Sequence, residues 1–214
     1  MQEEIIDVEF RNPPNFGVLT CKLPSWMLAE MKKEMFAIQE NNFQNSKAIP
    51  ANRNLAGHIK HEYKLPHLID KLEPIMLDLA AQYDNRFSFF ETIGTFKGER
   101  KLKLTELWVN FQKKYEFNPV HHHTGVLSFV IWIQIPYQLD QENSVFSNVE
   151  LPMTSKFIFH YSSIIGQPAN LPLPVDSSWE GQLALFPSML PHSVSPFYTS
   201  DDYRISMSGN LSYV

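Results

Sequence analysis

Two hydrophobic periods follow one another along this chain. Met27, Leu28, Met31, Met35, Phe36 and Ile38 recur at three- and four-residue steps, the stripe of an amphipathic helix. Ser25 stands where an N-cap is expected, and Asn41-Asn42 ends the pattern. A second helix is predicted from Pro66 to about Gln82, with Leu68, Ile69, Leu72, Ile75, Met76 and Leu79 on one side. Pro66 suits its first turn, and Pro74 predicts a kink or a division into two helices. From about residue 88 onward the period becomes two. Leu107, Val109 and Phe111 alternate with Trp108, Asn110 and Gln112; Phe129, Ile131, Ile133 and Ile135 alternate with Ser128, Val130, Trp132 and Gln134. Further strands are expected at Lys156–Tyr161, Gln182–Phe186 and Tyr203–Leu211. Helices first and many short strands afterwards predict an α+β fold, a β-sandwich or jelly roll with a helical layer on one face. No repeat, low-complexity tract or linker interrupts the chain. Residues 1–214 are therefore expected to form one domain, a helical part over about 1–90 and a jelly-roll core over about 91–214.

Composition narrows the class. A hydrophobic fraction of 43% with 16 Phe suffices for a core without staples, and 15 Pro against 8 Gly predicts short elements joined by rigid turns. A net charge of −5 with no run of Lys or Arg argues against a nucleic-acid partner. The single cysteine, Cys21, cannot form an internal disulfide and fits a reducing compartment. The start Met1-Gln2-Glu3-Glu4 has neither a basic nor an apolar leader pattern. The longest apolar stretch, Val126 to Ile135, is broken by Ser128 and Gln134 and is too short to span a bilayer. The expectation is a cytoplasmic protein with no membrane partner.

The chemistry concentrates in Asn118-Pro119-Val120-His121-His122-His123-Thr124-Gly125, then Pro191-His192, then Arg204-Ile205-Ser206. In extended backbone alternate side chains share a face, so His121 and His123 point together and His122 points away. Two imidazoles on one strand can meet a single metal ion, and His192 is the candidate third ligand. His122 reads as substrate-facing or solvent-facing. On the last strand Arg204, Ser206, Ser208 and Asn210 occupy one face. A polar stripe inside a barrel needs a polar ligand or water, because buried polar groups must be paired. An arginine followed two residues later by a serine can clamp a carboxylate; the plainer reading is an edge strand with a salt-bridged arginine. Trp108, Asn110 and Gln112 share a face and can line the same pocket. His160 reads as a satisfied rim histidine, and His58, His61 and His67 as surface residues of a polar helical region. A histidine cluster with open metal positions beside a fixed guanidinium is what a non-haem Fe(II) oxygenase using a 2-oxo acid requires.

Several stretches in order carry a family resemblance: Trp108 to Gln112, Asn118-Pro119-Val120-His121-x-His123-x-Gly125, Ser128 to Trp132 running into Ile135-Pro136-Tyr137, Gly181 to Ser188, Pro191-His192 and Arg204-Ile205-Ser206, with Asn54 to Lys60 in the N-terminal part. The chain resembles the 2-oxoglutarate- and Fe(II)-dependent oxygenases, specifically a prolyl-hydroxylase-like group found in tailed phages of marine bacteria. The resemblance implies a double-stranded β-helix, cupin-like, with N-terminal helices packed on one sheet. It implies Fe(II) on His121, His123 and His192, with 2-oxoglutarate and O2 as cosubstrates. Arg204 and Ser206 would hold the distal carboxylate, with Asn110 and Trp108 beside it. It implies hydroxylation of a C–H bond, in a peptidyl side chain such as proline or in a small molecule.

One departure from the superfamily pattern bears on the metal. The usual His-x-Asp/Glu step is absent: no acidic residue lies between Pro119 and Leu139, and Thr124 is a poor iron ligand. The site is expected to be three histidines; two histidines with water, or a carboxylate from a distant segment, are the alternatives. Two other functions stay open, an inactive cupin-like metal-binding protein with a virion or host-interaction role, and a three-histidine dioxygenase that does not use 2-oxoglutarate. The helical front offers either a substrate groove or a homodimer face.

Overall fold

The computed structural model describes residues 9, 15–41, 43–44, 47–51, 57–94 and 100–214. Its strands are β1 (Leu19–Lys22), β2 (Ile49–Pro50), β3 (His61–Lys64), β4 (Leu102–Gln112), β5 (Asn118–His121), β6 (Leu127–Gln134), β7 (Phe157–Ser162), β8 (Pro168–Leu173), β9 (Gln182–Pro187), β10 (His192–Val194) and β11 (Arg204–Tyr213). The helices are α1 (Ser25–Glu40), α2 (Ile69–Phe87), α3 (Phe89–Thr92) and α4 (Leu139–Ser144).

Both long helices form where the 3.6-residue stripe predicts them. α1 buries Met27, Met31, Met35 and Ile38. Ser25 is the first residue of α1 and makes no cap: Pro24 precedes the helix, and its carbonyl accepts from the amides of Met27 and Leu28. α2 buries Leu72, Met76, Leu79, Ala80 and Tyr83 and runs unbroken through Pro74. This proline lies within the first turns, where a missing amide removes one i→i−4 bond near an end already short of partners. Pro66 opens a 3-10 turn that leads into α2.

The strands form two antiparallel sheets. The larger has the order β1-β9-β6-β11-β4-β3-β2 and the smaller β5-β10-β7-β8. Their side chains sort into two cores. Phe129, Ile131 and Ile133 of β6, with Val109, Phe111, Ile205 and Met207, pack under α1 and α2. Val130 and Trp132 of the same β6 face the smaller sheet and meet Phe157, Phe159, Ala184 and Phe186. A strand buried on both faces reads as an almost continuous apolar run, which is what β6 is. The result is a jelly-roll-like α+β fold with helices covering one sheet. Among the described residues, no helix is long and apolar enough to cross a membrane.

The front of the chain is not helical throughout, because β1, β2 and β3 extend both edges of the larger sheet. The polar stretch containing His61 is therefore a strand and not part of a helix. His61 stacks on Phe43 with ring centroids 4.0 Å apart, while Glu62 is almost fully buried on the other face. Four residues are too few to reveal a period of two, so pairing with β4 decides the conformation.

Gly209 marks a close approach at the centre of the larger sheet. A Cβ there would lie 2.6 Å from the carbonyl oxygen of Glu106 and 2.7 Å from the ring of Phe129. Neither backbone nor a fully buried ring can retreat cheaply, so Gly209→Ala should destabilise the protein by about 1–3 kcal/mol. Urea unfolding that places the variant within error of wild type would refute this packing.

Candidate metal centre

The pairing of β10 with β5 builds the centre. His192 lies directly opposite His121 in that register, and the chain leaving β5 brings His123 to the same side. The three ring centroids are 4.4 to 5.0 Å apart, and one nitrogen of each ring lies within 4.8 Å of the others. These three could hold a metal ion. His122 is exposed and does not join them. Among the described residues no carboxylate joins the cluster either. The side chain of Glu116 instead accepts the main-chain amides of Lys60 and Lys113.

The rings are oriented by the backbone. Nδ1 of His121 lies 2.8 Å from the carbonyl oxygen of Pro119, and Nδ1 of His192 lies 2.9 Å from that of Leu190. A carbonyl only accepts, so in each ring Nδ1 carries the proton and donates it, leaving the Nε2 lone pair free. This is the arrangement that prepares a histidine to ligate through Nε2. The second ring is wedged among Phe157, Phe159 and Phe186, with Phe157 stacked at 5.3 Å. Burial, reinforced by the neighbouring rings, pushes His123 down to about 4 and His192 down to about 3; burial also lowers His121. Neutral imidazoles near neutral pH are the form a metal needs.

The cluster opens into a cavity of about 200 Å3 whose lining includes Glu62, Trp108, Asn110, Arg204, Ser206 and Ser208. Thus the three histidines, Arg204, Ser206, Trp108 and Asn110 border one space, while Gln112 and Asn210, which share their strand faces, do not line it. Arg204 is 3% exposed. All five of its N–H groups already have acceptors. Nε and Nη2 both donate to Oε1 of Gln112; Nη1 donates to Tyr137 Oη and the Ser155 carbonyl; Nη2 also donates to the Ser195 carbonyl. Among the described residues no carboxylate touches the guanidinium. One link to a carboxylate runs through Ser155, whose hydroxyl donates to the fully buried Glu142 at 2.7 Å. Glu142 also accepts from the amides of Tyr198 and Thr199 and from the Thr199 hydroxyl.

Tyr137, Glu142 and Glu62 were not assigned from the sequence, and Gln112 reads there as a pocket-lining residue but not as the partner of Arg204. Gln112 shares the strand parity of Asn110, and Tyr137 ends one of the resemblance stretches, so both carried a weak signal. Glu142 and Glu62 carried none, because nothing local tells a buried carboxylate from a solvated one. His160 is satisfied as expected, its Nδ1 and Nε2 each 2.8 Å from a partner, Asn170 and Ser193. Of the stretch Asn54 to Lys60, residues 54–56 lie outside the described residues.

These buried rings predict an acid-sensitive metal-free protein. The unfolded chain takes up protons on histidine below about pH 6.5, while the folded chain refuses them on His123 and His192 until about 4 and about 3. Stability should therefore fall as pH drops from 6.5 toward 4. His192→Leu should flatten that fall when unfolding free energy is measured at successive pH values. An identical slope in both proteins would mean that the ring is not held neutral.

Residues 106–210 match the sequence model of a family described as "Putative 2OG-Fe(II) oxygenase". No curated protein matches the chain. Among solved structures, a prolyl-4-hydroxylase of Pseudomonas putida is similar at 15% identity over 92% of each chain, with a TM-score of 0.58. AviO1 from Streptomyces viridochromogenes Tue57 is similar at 12% identity over 92% of this chain and 90% of its own, with a TM-score of 0.50. At such identities the likeness is one of fold. On that fold, the match over residues 106–210 supports the 2OG-Fe(II) oxygenase superfamily for this chain, and the protein is a 2-oxoglutarate-dependent dioxygenase with Fe(II) as its metal.

Proposed function

We propose that this dioxygenase is a hydroxylase in which His121, His123 and His192 ligate Fe(II) through Nε2, on a double-stranded β-helix formed by the two sheets. The observation that carries the reading is the convergence of three neutral rings, two with Nδ1 tied to a main-chain carbonyl, in a cavity that ends on a buried arginine. When bound, the iron supplies the oxidation: 2-oxoglutarate and dioxygen are consumed together, the 2-oxo acid becomes succinate and carbon dioxide, and one oxygen atom enters a substrate C–H bond.

The chain's own residues supply position and charge. Three neutral ligands leave the metal site a full unit more positive than a site with one carboxylate, which strengthens its hold on an anion. Arg204 presents a second positive charge inside the same cavity, and Ser206 lines the cavity two residues along β11. We assign these two to the distal carboxylate of 2-oxoglutarate, with Trp108 and Asn110 bordering the cosubstrate. Since every N–H of Arg204 has a partner, the carboxylate must take the place of a neutral acceptor. Gln112 is our choice for the acceptor displaced, because its side-chain amide can rotate while Ser155 and Ser195 offer main-chain carbonyls. A charged acceptor in the guanidinium fork is stronger than the neutral amide it replaces. The side chain of a peptide, proline among others, is our choice of substrate class. It rests on the motif resemblance, as does a phage source; a cytoplasmic location rests on the single cysteine and the absence of a leader pattern in the sequence.

Anaerobic titration with Fe(II) tests the metal and cosubstrate assignments together. A visible absorption band should appear only when Fe(II) and 2-oxoglutarate are both present, and His192→Ala should abolish it together with Fe(II) binding. Retention of the band in that variant would remove His192 from the centre. Tight Fe(II) binding without a band in the wild type would favour a three-histidine dioxygenase that does not use 2-oxoglutarate. Arg204→Lys keeps the charge but loses the fork, and should raise the 2-oxoglutarate concentration for half-formation of the band by about tenfold to a hundredfold while Fe(II) affinity is kept. An unchanged requirement would place the carboxylate elsewhere.

A further inference from the structure

Most polar groups around the cavity are paired. Arg204 is saturated, Gln112 donates to the carbonyl of Glu116, and Asn210 accepts from Ser128 and donates to Glu106. Two side-chain oxygens stand apart. Oε1 of Glu62 and Oδ1 of Asn110 are buried and have no hydrogen-bond partner among the described residues. Glu62 is 2% exposed and Asn110 7%. They are cross-strand neighbours, Glu62 on β3 opposite Asn110 on β4, and both line the cavity that holds the three histidines. An unpaired buried acceptor costs the full loss of its hydration, and here two lie side by side.

The charge around them points to what they lack. Lys64, on the same face of β3, places its ammonium 3.4 Å from Glu106. The charge acting on Glu62 is that of another carboxylate, Glu116. Asn110 pairs with Ser206 and so borders the cosubstrate on one side, but Glu62, one strand further out, would repel a carboxylate and leaves this place to another group. The Arg204 position is also remote from it. Glu62 lies two strands from β11, about 10 Å across the sheet, and one residue pair, about 7 Å, along it. Glu62 is not part of the histidine cluster either. The cavity is therefore polarised, with a fixed cation at one end and a carboxylate with an amide oxygen at the other.

We propose that Glu62 and Asn110 form the subsite for a cationic nitrogen of the primary substrate, an ammonium or guanidinium that brings at least two N–H donors to the two acceptors. The proposal deepens the hydroxylase reading and rests on it: the molecule oxidised at the histidine centre would carry a basic group. A lysyl-type or arginyl-type head group satisfies the chemistry equally, and the test separates them. Burial, and after it the field of Glu116, hold the Glu62 carboxyl up at about 7. An arriving cation would favour the ionised form, so pH 8 is the condition for measurement.

The probes are Nα-acetyl-lysine amide, Nα-acetyl-arginine amide and the uncharged Nα-acetyl-norleucine amide, titrated at pH 8 and followed by calorimetry. The protein is used both loaded with Zn(II) and 2-oxoglutarate, so that no turnover occurs, and free of metal. At least one basic probe should bind about tenfold more tightly than the norleucine compound or better, the order expected for charge-assisted hydrogen bonds. Glu62→Gln, equal in shape and neutral, should erase that preference without changing Zn(II) affinity, and Asn110→Ala should weaken it. The stronger of the two basic probes identifies the head group. Equal binding of all three probes, a preference that survives Glu62→Gln, or no binding of either basic probe at millimolar concentration overturns the proposal. A Glu62-dependent preference in metal-free protein that fails to give the Fe(II) band would instead count against the hydroxylase reading alone.

Discussion

The register that sets His192 opposite His121 is the contact on which the rest of this protein depends. It lies within a sheet whose strands come from distant parts of the chain, and it puts imidazoles into van der Waals contact behind a wall of phenylalanines. Buried rings so close together cannot all carry charge, since desolvation and mutual repulsion both act against the protonated form. The surroundings therefore enforce neutrality, and the carbonyls of Pro119 and Leu190 select the tautomer. Those two consequences turn a structural pairing into a preformed cluster that could hold a metal ion.

The same rule explains the far end of the cavity. A buried guanidinium is tolerable only with its donors satisfied. Arg204 meets that requirement with a ring of neutral acceptors, while the balancing carboxylate, Glu142, stands one residue removed behind Ser155. The guanidinium is thus anchored yet has no direct counter-ion, which leaves its field directed into the cavity. Glu62 and Asn110 show the opposite condition, acceptors without donors. A folded protein keeps few such groups, and those it keeps ask for an explanation in terms of what binds. The histidine cluster lines the same cavity as both groups.

Much of the architecture was legible because its elements are long and strongly periodic. α1, β4, β6 and β11 lie close to where spacing alone predicts them, since burial of one or both faces forces a 3.6-residue or two-residue repeat. What escaped were several of the short pieces. β1, β3, β8 and β10 have six residues or fewer, and their conformation is owed to the partner strand. Pro74 was legible as a proline but not in its effect, because that depends on how far it lies from the start of α2.

The candidate site divides along the same line. The chain by itself determined the inventory of chemistry: paired histidines with one between them turned away, a distant third, an Arg-x-Ser on a polar strand face, and no carboxylate where one is usual. Each follows from residue type and the two-residue alternation of extended backbone, which are local properties. Only the tertiary structure decided that no distant acid among the described residues joins the histidines, that Arg204 leans on Gln112, Tyr137 and Ser155, and that Oε1 of Glu62 is buried beside Asn110 without a partner among them. Those are facts about burial and pairing between residues far apart in the chain, and burial is a property of the fold that no local pattern around a lone glutamate or glutamine encodes.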